Sequence, residues 1–162
     1  MVQFAGTPNN IPKAEEEKLF AAGVSFLCSK AFPAAYACFA RITHKDFCLL
    51  YNKALCCFMV GWYDECHKLL CEAEHFVSSS PLSGLERFPE VFLRYFHEED
   101  GPFYPMPQGT PPSLAYTILL RLKAETAFKL QLYEEVKSIS GRLGGKFRHI
   151  ESLISKTRNN DM

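Results

Sequence analysis

The feature that most restricts this chain is a hairpin signature that occurs three times. Around Gly61-Trp62-Tyr63-Asp64-Glu65-Cys66, helix-forming residues run before the glycine, from Leu49 to Val60, and after it, from Cys66 to Val77. The glycine supplies a left-handed backbone at little cost, and the aromatic beyond it opens a second helix. Three positions of that unit, Ala54, Tyr63 and Cys66, have counterparts 31 residues earlier at Gly23, Phe32 and Ala35. The same positions recur 70 residues later at Ala124, Tyr133 and Val136. A spacing of seventy is about one helical-hairpin unit of 34 residues plus an insertion of similar length. A single hairpin cannot bury its own apolar face, so three of them predict a stack.

The expected organisation is a single all-α domain. Hairpins are expected at about residues 16–46, 47–78 and 117–146, with an insertion at about 79–113 and a capping helix at about 147–158. Asn9-Asn10-Ile11-Pro12 reads as the first helix start, with Asn as the cap, Pro in the first turn and Glu15, Glu16 and Glu17 favouring the dipole. Phe32-Pro33 opens the second helix. Phe147, Ile150, Leu153 and Ile154 form the apolar stripe of the capping helix. Gly141-Arg142-Leu143-Gly144-Gly145-Lys146-Phe147 lacks the glycine spacing and the hydroxyl residue of a phosphate loop, and reads as a helix stop and restart.

Composition removes several classes of partner. Eighteen basic residues balance eighteen acidic ones, so no field favours nucleic acid or an anionic membrane. No apolar run approaches the ~20 residues that span a bilayer, and Met1 to Pro12 lacks the pattern of a signal peptide. The expected location is the cytoplasm. Seven cysteines, all between Cys28 and Cys71, are expected as reduced thiols within helices.

The quoted hairpin residues resemble the tetratricopeptide repeat. The first unit supplies Ala22-Gly23, Phe26, Phe32, Ala35, Phe39 and Ile42; the second supplies Ala54, Cys57, Gly61, Tyr63, Cys66, Leu70 and Ala73. The third has Ala124, Ala127, Tyr133, Val136 and Leu143, with Gln131 in place of the turn glycine. No unit ends in the family's proline. The resemblance implies a superhelix whose first helices line a concave groove that takes an extended peptide or a partner helix. Carried over by position, the groove residues are Phe20, Val24, Tyr51, Asn52, Phe58, Arg121 and Phe128. Of the family's carboxylate-clamp positions only Asn52 is kept, the others being Phe20, Val24, Ile118 and Leu122, so the groove is expected to hold an apolar segment.

The insertion carries five of the ten prolines, between Pro102 and Pro112, and should be extended there. Just before it, Phe88 to Glu98 reads as a short amphipathic helix. The aromatics Phe92, Phe96, Phe103 and Tyr104 make the insertion either a decoration packed on the stack or a lid or internal ligand for the groove.

Little catalytic chemistry is visible. His67, Cys71 and His75 share a helical face at i, i+4 and i+8, but a metal needs a fourth group such as His44, and no metal or cofactor is expected. No catalytic motif stands out, so the chain is expected not to be an enzyme, with a Cys71–His67 pair as the last-ranked alternative. The expected role is protein–protein interaction, as an adaptor or chaperone binding another protein or peptide. A secretion-system-type chaperone and a self-assembling scaffold, with a homodimer, are the alternatives.

Overall fold

The computed structural model describes residues 11–76, 103–145 and 147–160, the side chain of residue 160 excepted. Seven helices and no strand occur among them. These are α1 (Lys13–Cys28), α2 (Phe32–Ala40), α3 (Phe47–Met59), α4 (Tyr63–Glu74), α5 (Pro112–Lys129), α6 (Tyr133–Arg142) and α7 (Arg148–Asn160). Each helix packs on the next in sequence. The leading helices also meet in succession, α1 on α3, α3 on α5 and α5 on α7. The result is an all-α stack of three hairpins closed by a final helix.

One backbone solution makes all three hairpin turns. Lys30, Gly61 and Gln131 occupy the left-handed region with φ of 64°, 81° and 63°. In each turn the next amide reaches back five residues: Ala31 N to Phe26 O, Trp62 N to Cys57 O and Leu132 N to Ala127 O, each at 2.8 Å. These bonds satisfy the last carbonyls of the leading helix. The spacing of 31 and 70 residues that organises the sequence is thus present atom by atom in the main chain. The fourth corner is built from Gly144 and Gly145, also left-handed, where Gly145 N donates to Ser140 O at 3.0 Å. Gly141 lies inside α6.

Helix starts follow local chemistry, with two departures from expectation. The Asp46 side chain caps α3 by accepting from Leu49 N at 2.8 Å. Pro33 sits in the first turn of α2 and Pro112 opens α5. Proline favours that position because its missing amide hydrogen would have no helical partner there. Helix α5 therefore begins at Pro112, inside the range expected for the insertion. At α1 the cap position belongs to Pro12, with no side-chain cap, so the proline does not stand in the first turn. The proposed Asn caps lie outside the described residues, as does the helix expected over Phe88 to Glu98. Helix α7 runs two residues beyond the expected end of the capping helix.

Gly23 shows why the first hairpin needs a small residue mid-helix. A Cβ there would lie 2.5 Å from the Phe39 ring, which is fully buried and packs on Phe20 at 5.7 Å between centroids. The main core runs from Phe20 through α3 and α4 to Leu143, Phe147 and Ile150. A smaller cluster of Ala127, Val136 and Leu153, with Phe128 and Ile154 against it, joins the third hairpin to α7. Between the second and third hairpins, the Cys66 thiol lies 3.3 Å from Thr126 Oγ1, whose own hydrogen goes to Leu122 O. No described helix is long and apolar enough to cross a membrane.

Candidate interaction face

Helix α3 is buried almost all round, from Phe47 to Cys57. Two sides are taken by its neighbours in the stack. A third is covered by residues 103–108, which run beside α3 in the opposite direction. The register is set by four contacts. The Phe103 ring meets Phe58 edge-on at 5.6 Å. Met106 N donates to Asn52 Oδ1 at 2.8 Å, and Asn52 Nδ2 donates to Met106 O at 2.9 Å. The Cys48 thiol donates to Pro107 O at 3.5 Å. Gln108 then borders a cavity at the start of α3 that Asp46 and Leu49 also line. The lengths agree: the ten residues from Cys48 to Phe58 rise about 15 Å as helix, and four extended residues from Phe103 to Pro107 cover about 13 Å.

The prolines keep this segment extended, because Pro105 and Pro107 fix φ and disfavour helix before them. Met106 is the one side chain of the segment that is fully buried. After it, Thr110 Oγ1 closes a turn onto Pro107 O at 2.7 Å, with Gly109 at φ 83°, and delivers the chain to α5.

Of the expected groove residues, Asn52 and Phe58 meet on this face. Tyr51 does not: it is fully buried in the main core. Phe20 is likewise core, packed at a tilt against Phe39, although it also borders an adjacent cavity; Val24 packs beside the core, partly buried. Arg121 is covered by α7. Its Nε donates to His149 Nε2 at 2.9 Å, while His149 Nδ1 lies 3.0 Å from Glu125 and the guanidinium stacks on Phe147 at 4.5 Å. Phe128 packs on Tyr133, which opens α6, at 5.8 Å. The reason is common to these corrections. A leading helix has two apolar sides here, one toward its hairpin neighbours and one toward the segment or α7, and residue type does not distinguish them. Of the expected lid, Phe103 turns inward between Phe58 and His149. Tyr104 is 43 % exposed. Phe92 and Phe96 lie outside the described residues.

Beyond Gln108, toward α1, a cavity of about 820 Å³ continues the face. Phe20, Ile42 and Leu49 supply its apolar wall, and Lys13, Glu16, Glu17, His44 and Asp46 its polar rim. Glu16 also ties the α2–α3 loop to α1, accepting from the Thr43 amide and hydroxyl at 3.0 and 2.8 Å. These bonds hold its carboxyl below the usual range.

The His67–Cys71 face carries different neighbours from those expected. His67 Nδ1 lies 3.7 Å from Cys71 Sγ, and Nε2 lies 3.0 Å from Glu135 of α6. The two ring nitrogens point away from each other, so these groups do not converge on one ion, and no cluster of metal-binding side chains occurs among the described residues. All seven cysteines are free thiols; Cys48, Cys56, Cys57 and Cys66 are core residues as expected, but Cys28 is exposed and Cys38 and Cys71 are half-buried.

Sequence reasoning missed the seating of Met106. The available signal was Asn52 itself, an amide in the midst of a helix otherwise apolar apart from Lys53. A buried amide demands partners. Comparison with protein-family models, curated proteins and solved structures finds no match.

Proposed function

We propose that this chain is a protein-interaction module of tetratricopeptide-repeat type, an adaptor or chaperone that holds an extended, proline-containing apolar segment against α3. Its own residues 103–108 are the resident occupant, and a partner segment of the same kind takes their place. The observation that carries this reading is the two-bond exchange between the Asn52 amide and the Met106 main chain. An amide that satisfies both the N–H and the C=O of one extended residue recognises backbone, so it accepts many sequences. Selectivity then comes from the aromatic seat beside Phe58 and from the buried position taken by Met106. The cavity toward α1 leaves room for a longer occupant than the resident one.

A tethered segment competes at an effective concentration in the millimolar range. The test therefore uses a variant in which Phe103→Asp and Met106→Asp weaken the resident segment. A fluorescent peptide of sequence Phe-Tyr-Pro-Met-Pro-Gln is expected to bind this variant more tightly than the parent chain. Adding Asn52→Ala is expected to abolish that binding while helical circular dichroism is kept. A well-folded double variant that binds no peptide overturns the proposal.

A further inference from the structure

We propose that Cys71 is a site of covalent modification, a thiol set up by His67 and Glu135 to exchange with small-molecule disulfides. The argument begins with the imidazole. Glu135 meets His67 Nε2 through both carboxylate oxygens at 3.0 Å, which places the ring hydrogen on Nε2 and leaves Nδ1 as an acceptor. Nδ1 faces Cys71 Sγ at 3.7 Å. Nucleophile, base and orienting carboxylate thus stand in line, an arrangement that activates a weak nucleophile irrespective of fold. Two elements supply it: α4 carries Cys71 and His67, and α6 carries Glu135. From α5, the Lys123 ammonium bridges Glu74 at 3.0 Å and Glu135 at 3.6 Å. Arg142 of α6 completes the charged surroundings at 3.7 Å from Glu74.

Of the other cysteines, Cys48, Cys56, Cys57 and Cys66 are buried core thiols, Cys28 stands in solvent, and Cys38 is half-buried like Cys71. Cys71 is half-buried, so a small reagent reaches it, and the His67 side chain beside it is 23 % exposed.

The step balances without an external oxidant beyond the disulfide. The Cys71 proton passes to His67 Nδ1 and the thiolate attacks one sulfur of the reagent. A new S–S bond forms to Cys71 as the old one breaks, and the departing thiolate takes the proton from Nδ1 and leaves as a thiol. The adduct then occupies the corner where α4, α5 and α6 meet, next to the ion pairs that join the second hairpin to the third.

The experiment treats the full chain with oxidised glutathione and follows each cysteine by peptide mass spectrometry. Cys71 is expected to form the mixed disulfide at least about tenfold faster than Cys28, well below the 10²–10⁴ that a positioned base supplies within an active site. His67→Ala is expected to bring Cys71 down to the Cys28 rate, and Glu135→Gln to slow it in part. The four buried thiols serve as an internal control, since they stay unmodified while the chain is folded. If His67→Ala exposes them, Glu135→Gln carries the comparison. The proposal is overturned if Cys28 or Cys38 reacts as fast as Cys71, or if a folded variant of His67 or Glu135 leaves the Cys71 rate unchanged.

Discussion

Asn52 and Met106, 54 residues apart in sequence, exchange two hydrogen bonds in the interior, and neither side chain is more than 1 % exposed. Replacing Asn52 by Ala removes a donor and an acceptor and leaves the Met106 amide and carbonyl unsatisfied, at about 1–3 kcal/mol for each buried group. The expected outcome is a lower urea midpoint and faster proteolysis within residues 103–110. Asn52→Asp keeps the acceptor but turns a second oxygen toward Met106 O, so it is expected to be no better than Ala. Unchanged protease resistance in both variants would show that the segment is held elsewhere.

The hairpin turns offer a gain. Lys30 and Gln131 adopt the same left-handed conformation as Gly61, and a side chain in that region costs about 1–2 kcal/mol. Lys30→Gly and Gln131→Gly are each expected to raise stability by about 1 kcal/mol, less a few tenths for the freer unfolded chain. Gly61→Ala should lower it by a similar amount. Urea denaturation of the three single variants checks the signs; a loss from Gln131→Gly would mean that its side chain holds the turn.

Gly23→Ala has two opposed effects. Alanine is worth about 1 kcal/mol more than glycine within a helix, whereas overpacking a core costs about 1–3 kcal/mol. With the new Cβ 2.5 Å from a sealed Phe39 ring, overpacking should win and the melting temperature should fall. The double variant with Phe39→Leu is expected to lose less than the two single losses added together. Simple additivity in that cycle would locate the strain away from Phe39.

Alkaline pH should unfold this protein sooner than its neutral charge balance suggests. Burial pushes the thiols of Cys48, Cys56 and Cys66 up to about 12, and that of Cys57 to about 11. The unfolded thiol titrates near 8.5, so the contribution of each is whole below that value and is lost as pH rises toward 11 to 12. Each proton released on unfolding removes about 1.4 kcal/mol per pH unit. Lys123 acts in the same direction at higher pH. Burial pulls its pKa down, but the hydrogen bond and charge of Glu74, with the charges of Cys71 and Glu135, outweigh this and leave it raised. Urea midpoints under reducing conditions should fall steadily from pH 8.5 to 10.5. A Cys56→Ala, Cys57→Ala variant should fall less steeply; an equal slope would remove the buried thiols as the cause.

The hairpin stack was legible because its signals are local and repeated. Gly61 and Tyr63 mark a turn, and their counterparts at fixed offsets mark two more, even where Gln131 hides the glycine. Helix starts were less legible, since Pro12 and Pro112 serve equally as cap and as first-turn residue. The candidate face was read in part. Asn52, Phe58 and Phe103 do come together, but Tyr51 and Arg121 were assigned to a surface that the fold closes. On a helix as uniformly apolar as α3, periodicity cannot separate the side facing a neighbour from the side facing a groove. The pairing of His67 with Glu135 joins residues 68 positions apart, and no local pattern announces such a partner.

Stacked hairpins touch only their neighbours and so flex along their length like a coil spring. The Phe103 ring, wedged between Phe58 of α3 and His149 of α7, gives this spring a strut that skips over the hairpin between. A Phe103→Ala change is therefore expected to loosen the tie between the middle of the stack and its end.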